Sequence, residues 1–351
     1  MDERSHWWAR LIPSPRATRR IGIVLGSVLA VVIVASIVLG STPWPSALLI
    51  RAVFTQGGVA TAAETTRHIP ATPLNQKLDV QYSDGSAGGN TTFDAFSPRS
   101  GSEALPTVFW VHGGAWISGS KDDVDPYLRI LAGSGYTTIG VNYTVGPEAQ
   151  YPTALHQLND ALGFIVAHAS EYRVDPSRIV LAGDSAGANL ASQLAVLTTN
   201  PDYAGLLGIT PALHPDQLVG TILNCGVYDL NSMADLDGIV AWGFKIALWA
   251  YTGTRNWSAS YAGTTMSTID FVTPEFPATY ISGGNGDGLT WIQSVPMFNK
   301  LRSEGVDMTP LFWAADHDPP LAHEYQFHLD LPEARTALSD TLAFLARVTA
   351  D

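Results

Sequence analysis

Apolar positions fall into three patterns along this chain. Residues 21–40 are continuously apolar, mostly Val, Ile, Leu, Ala and Gly, and carry no charge. From residue 74 onward, short apolar runs alternate with stretches of helical period. Between residues 228 and 271 neither pattern holds, and Trp242, Phe244, Trp249, Tyr251 and Trp257 crowd together.

The short runs read as strands. Residues 78–82 and 92–96 read as a strand and its return, around the turn signals Asp84-Gly85 and Gly88-Gly89-Asn90. Residues 106–111 are apolar throughout, as in a buried parallel strand. Further strands are predicted at 136–143, 177–182, 218–225, 278–282 and 308–313. Helices are predicted at 122–132, 151–172, 186–197, 291–303 and 332–348. This alternation predicts an α/β fold, a mostly parallel, doubly wound sheet with helices on both faces. Residues 228–271 interrupt it and read as a small cap whose aromatics line an acyl pocket. The alternative is a surface excursion packed on the sheet.

At about 1.5 Å per residue, residues 21–40 are long enough for the roughly 30 Å hydrocarbon layer. Arg4, Arg10, Arg16, Arg19 and Arg20 precede them, against Asp2 and Glu3. The run exceeds the ~7–15 residues of a signal-peptide core, and no A-x-A site follows it. Residues 21–40 therefore read as a transmembrane signal anchor, with a cytoplasmic basic tail at 1–20 and the remainder outside the cytoplasm. A cleaved signal peptide with a secreted product is the alternative. Residues 41–73 read as a juxtamembrane spacer, flexible around Gly57-Gly58, in which 47–54 lie on the membrane surface or dock on the domain. Residues 74–351 are left for one large domain.

Composition adds three constraints. With 46% hydrophobic and 15% charged residues, the chain can bury a sizeable core. A net charge of −13 argues against nucleic acid as a partner. Cys225 is the one cysteine, so no internal disulfide forms, and its apolar run marks it as a small core residue.

The candidate chemistry centres on Gly183-Asp184-Ser185-Ala186-Gly187, which contains G-x-S-x-G between a predicted strand and a predicted helix. That context holds a serine out at the strand's end, where a base can reach its hydroxyl. Asp287 lies in a glycine-rich loop after a later strand and is the candidate for the acid that orients the base. The base is expected after the last strand, where Asp316 to His328 offer His317, His323 and His328. Such a cluster can also hold a metal. Its spacings are not helical and a complete serine set is available, so no metal and no organic cofactor is expected. His112-Gly113-Gly114-Ala115 follows the strand at 106–111. The oxyanion would be held by the backbone N–H groups of Gly113, Gly114 and Ala186, with Ala115 as a further candidate. His112 then fixes the loop and is not the base.

These motifs resemble those of α/β-hydrolase serine esterases, most closely the hormone-sensitive lipase branch. His112-Gly113-Gly114-Ala115 is similar to that branch's H-G-G-G, and Gly183-Asp184-Ser185-Ala186-Gly187 to its G-D-S-A-G. Asp287-Gly288-Leu289 resembles D-P-L, and Tyr143 with Gly146-Pro147-Glu148 and Tyr151-Pro152 resembles Y-R-L-A-P-E…F-P. Ala115, Thr144 and Gly288 depart from those patterns, and H-G-G-x-W is also a form found in arylformamidases. The branch's H-G-F motif points to His323-Glu324-Tyr325, with His317, nearer the last strand, as the alternative.

The resemblance implies an α/β-hydrolase fold and a carboxylic ester hydrolase working through Ser185, His323 and Asp287 on a small or short-chain acyl ester. Two other functions remain open: an amidase or formamidase on the same fold, and a hydrolase-fold binding protein without catalysis.

Overall fold

The computed structural model describes residues 15–83, 90–234 and 236–350. Most of the basic tail, with Arg4 and Arg10, and the Asp84-Gly85 and Gly88-Gly89 turn signals lie outside the described residues. The chain divides into two compact units between Ser46 and Ala47. In the first, helix α1 (Pro15–Ser41) is 27 residues long and contains the continuous apolar run. It is long and apolar enough to cross a membrane, and the side chains of its apolar run are exposed among the described residues.

Where the sequence reads as a flexible spacer, the structure has a second helix, α2 (Trp44–Thr66). Its tie to the rest of the second unit is largely polar. Arg51 donates to the carbonyls of Ile117 at 2.6 Å and Gly146 at 2.8 Å, and its guanidinium pairs with Glu148 at 2.5 Å. Ala47 and Ile50 pack with Ala115, Ile117, Ile246, Ala247 and Ala250. Near the other end of α2, Thr65 donates to the Phe327 carbonyl at 2.8 Å.

The sheet has eight strands: β1 (Leu74–Gln81), β2 (Thr92–Pro98), β3 (Leu105–Val111), β4 (Thr137–Val141), β5 (Val174–Asp184), β6 (Leu218–Asn224), β7 (Thr279–Gly283) and β8 (Met308–Phe312). Their order is β1-β2-β4-β3-β5-β6-β7-β8. β1 and β2 are antiparallel, and the six strands from β4 to β8 are parallel.

Strand side chains alternate between two cores, as the period of two requires. Phe109, Val111, Leu181, Leu223 and Ile281 face one core, against helices Thr153–Ala167 and Ala186–Thr199. Val108, Trp110, Val180, Ala182, Ile222 and Tyr280 face the other, against helix α3 (Lys121–Gly133) and helix Pro332–Val348. This doubly covered, mostly parallel sheet is the expected architecture.

Two predicted helices differ in detail. The one at 151–172 is broken at His168 into Thr153–Ala167 and Ala169–Tyr172, and the one at 291–303 opens with a π-turn, Thr290–Ser294, before Val295–Ser303. Residues 228–271 contain three helices: Leu230–Ala234, Gly238–Thr252 and Tyr261–Met266. Of their aromatics, Tyr251 and Trp257 are buried packing residues, and Trp242 is largely exposed.

Candidate active site

Ser185 sits between the end of β5 and helix Ala186–Thr199 with φ 52° and ψ −120°. A non-glycine residue in that region is strained, and it holds here because its surroundings leave no alternative. Its N–H donates to the Asn224 carbonyl at 2.8 Å. A Cβ on Gly183 would lie 2.5 Å from the Gly187 backbone, and one on Gly187 would lie 2.0 Å from the Val111 oxygen. Both glycines are thus required by close approach of the backbones.

Asp287 and His323 reach Ser185 from the next loops along the sheet. His323 Nε2 lies 2.9 Å from Ser185 Oγ, and Nδ1 lies 2.7 Å from Asp287 Oδ2. The other carboxylate oxygen of Asp287 accepts the Leu289 N–H at 2.9 Å, which fixes the carboxylate plane. The two loops are stitched together. Asn285 Oδ1 accepts the Leu321 N–H, Gly286 N–H donates to the Leu321 carbonyl, and Asn285 Nδ2 donates to the His317 carbonyl.

The three histidines after β8 go to three different carboxylates rather than converging. His317 Nε2 is 3.2 Å from Glu333, and its ring lies against Trp313. His328 Nδ1 is 2.9 Å from Glu64 on α2. Only His323 reaches the serine. Cys225, Asp287 and His323 also bring potential metal-binding atoms within 4.8 Å of one another. Both His323 nitrogens, however, already face Ser185 and Asp287, so the chemistry of this set fits proton transfer better than metal ligation.

Burial alone would lower the pKa of His323. The hydrogen bond with Asp287, together with the negative charges of Glu324 and Asp287, outweighs burial and pushes it up to about 9. His112 goes the other way, pushed down to about 4 by burial. It stays neutral, bonded through Nδ1 to the Gly113 carbonyl at 2.8 Å and stacked 4.4 Å from the Tyr143 ring.

The loop after β3 corrects one expectation. The Gly113 N–H already donates to Asp184 Oδ2 at 2.8 Å, so this amide is not free for an oxyanion. Asp184 Oδ1 accepts from the Trp110 indole at 2.7 Å. Burial and the neighbouring Glu324 carboxyl raise the Asp184 pKa well above the usual carboxylate range. Asp184 therefore pins the loop to the turn that bears the serine. Gly114 and Ala115 follow with φ 105° and 51°, and no partner for their amides is found among the described residues. With Ala186 at the start of its helix, they are the available donors.

These groups line one side of a cavity of about 370 Å³. Val53, Phe54, Gly57, Gly58 and Thr61 of α2 form the other side, with Phe244 from helix Gly238–Thr252. Sequence reasoning missed this α2 wall and the loop-holding role of Asp184. An acidic residue inside the motif, enclosed by small apolar neighbours, was the available signal for the latter.

The BD-FAE family model matches residues 93–301, more than half of the chain. An acetyl esterase of Salmonella agona (strain SL483) is 39% identical over 104 residues, covering 29% of this chain and 32% of that protein. The chain matches about a third of the length of its curated relatives. Esterase B from Lactobacillus rhamnosis superposes with a TM-score of 0.72 at 20% identity, covering 87% of this chain and 95% of that one. The esterase of Pyrobaculum calidifontis gives 0.68 at 21% identity, covering 87% and 94%. At these identities the structural likeness shows the fold, that of the α/β-hydrolases.

Proposed function

The chain belongs to the BD-FAE family, and from that membership and the hydrogen-bonded series Ser185–His323–Asp287 we propose a carboxylic ester hydrolase acting through an acyl-enzyme. The carrying observation is that one imidazole bridges the strained serine and a fixed carboxylate.

Neutral His323 takes the Ser185 proton at Nε2 as Oγ attacks the ester carbonyl carbon. The carbonyl oxygen gains the negative charge and is held by the N–H groups of Gly114, Ala115 and Ala186. Gly113 serves instead as the loop's anchor on Asp184. His323 returns the proton to the departing alkoxide, leaving an alcohol and an acyl-serine. Water, deprotonated by the same nitrogen, then releases the acid and restores Ser185. Asp287 holds the Nδ1 proton and stabilises the imidazolium. The apolar far wall, with Val53, Phe54 and Phe244, suits a small or short acyl group.

The long apolar α1 supports reading this helix as a membrane anchor that leaves the catalytic domain outside the cytoplasm. The α2 contacts support placing the domain's start at Ala47 rather than at residue 74.

Steady-state hydrolysis of p-nitrophenyl esters from acetate to palmitate, with S185A, H323A and H317A alongside, tests the catalytic reading. Activity lost in S185A and H323A but retained in H317A supports it. Hydrolysis of N-formyl amides, but not esters, by the intact chain replaces the esterase with an amidase.

A further inference from the structure

The far wall of the cavity continues outward as an apolar rim. On α2, Val53 and Phe54 line the cavity yet are 60% and 43% exposed, and Leu49, one turn earlier, is 64% exposed. On helix Gly238–Thr252, Phe244 lines the cavity. Val240, one turn before it on the same helix face, is 67% exposed and Ile239 beside it 78%. The two helices touch through Ile50, Ile246, Ala247 and Ala250. Val53, Phe54 and Phe244 thus line the cavity that holds Ser185, and Leu49, Ile239 and Val240 extend the same two helices outward as exposed apolar side chains. Patches of this kind at a cleft mouth mark a contact surface.

The chain itself indicates what covers the rim. Only Thr42 and Pro43 separate α2 from α1, the helix able to cross a membrane. Leu49 follows the end of α1 by eight residues and Phe54 by thirteen. At about 1.5 Å per helical residue, even Phe54 lies within roughly 20 Å of the end of α1 along the chain. The rim is thus tethered within about 20 Å of the end of a helix able to span the bilayer, whose headgroup layer adds roughly 5–8 Å on each side of the hydrocarbon. We infer that the rim of Leu49, Val53, Phe54, Ile239 and Val240 rests in the boundary between lipid headgroups and acyl chains, and that the ester reaches Ser185 from the membrane.

The favoured substrates are then amphiphilic esters dissolved in lipid, whose acyl group enters the cavity while the rest stays in the bilayer. The inference rests on the ester hydrolase reading for its substrate and on α1 as an anchor for its location.

The test uses the full chain in dioleoylphosphatidylcholine vesicles. Cys225 is buried, so a nitroxide attached to V240C reports one position. At this site, collisions with dissolved oxygen should exceed those with a water-soluble nickel chelate at least fivefold more than for the same label at K77C on exposed β1. Equal ratios at the two sites overturn the docking. So does shielding from both agents with spin broadening that disappears on dilution with unlabelled chain, which identifies a second copy as the occupant.

Activity supplies the second arm. I239E/V240E should lose at least tenfold on 1,2-dioctanoylglycerol in the vesicles and stay within twofold on p-nitrophenyl acetate in water. Equal loss on both substrates overturns lipid delivery. Failure of the parent chain on p-nitrophenyl acetate and dioctanoylglycerol alike overturns the esterase reading and leaves the nitroxide result to stand alone.

Discussion

The wall of the cavity that carries Ser185 and the wall that carries Phe54 are built by opposite means. The first grows from the ends of four parallel strands, β3, β5, β7 and β8. Each of its parts is held by backbone geometry: a strained serine, two glycines against opposing main chain, and loops sewn together by Asn285. The second is two helices, held by Arg51, a small alanine-rich contact, the Thr65 and Glu64 bonds near the end of α2, and the burial of Leu248 and Tyr251 in the core. In the proposed reaction the first wall holds the reacting atoms within hydrogen-bond reach of one another. The second sets only which groups may enter. Rigid strand ends and adaptable helices divide the labour of chemistry and selection between them.

That division is broken most sharply at the serine. S185A should lower kcat by about 10⁴-fold or more, with little change in thermal stability, read from p-nitrophenyl butyrate turnover beside a melting curve. Next comes G114A. Its Cβ would lie 2.3 Å from the Ser118 carbonyl oxygen at a φ of 105°, so the loop must shift. Loss of aligned donors should cost roughly 10²–10³ in kcat with KM little changed. A change confined to KM would show that this loop binds substrate rather than the developing charge.

On the other wall, R51M removes charged hydrogen bonds to two carbonyls and Glu148. It should cost about 2 kcal/mol, read as a Tm lower by several degrees and faster amide exchange in α2. F54A and F244A should each raise KM for hexanoate esters roughly tenfold, while acetate turnover stays within a factor of three. Equal effects on acetate would mean that this wall positions the reacting carbonyl after all.

The smallest effect sharpens the comparison through pH. His323 must be neutral to act as base, so kcat/KM should rise with pH up to about 9 and fall as His323 takes a proton at lower pH. E324Q removes a negative neighbour of that imidazole, and the acid limb should move down by up to roughly one unit. An unmoved limb would assign the titration to another group.

The two walls also differed in how well the sequence announced them. Buried parallel strands show as apolar runs, and the Ser185 turn shows as glycines at fixed spacing, so β3 to β8 and the candidates Ser185 and Asp287 could be named from residue type and order, whereas His323 was singled out among three histidines by the resemblance. The α2 wall left a fainter trace, the apolar run 47–54 with its two alternative placements, while the rest of the helix read as a flexible spacer. Its inward positions mix Ala, Gly and Thr with Ile50, Val53 and Phe54, its main tie is Arg51 to distant carbonyls, and a polar tie of that sort has no period to read. Gly58, which suggested flexibility, is a point of close approach, since a Cβ there would lie 2.8 Å from Asp123 Oδ1. The pinned Gly113 amide was invisible for a similar reason. Which N–H of a glycine loop faces the substrate depends on an acceptor 71 residues away, Asp184.

Arg51 and its neighbours on α2 also bear on how the enzyme can be handled. A chain begun at Leu74, the first residue of β1, would lack Ala47 and Ile50 and would bare Ala115, Ile117, Ala247 and Ala250 to water. The carbonyls of Ile117 and Gly146 would lose their donor, and Glu148 its counter-charge. Such a fragment would keep Ser185, His323 and Asp287 and still be prone to clump. A soluble version made without detergent should instead be trimmed between Ser41 and Trp44, which removes α1 and leaves the whole second helix in place.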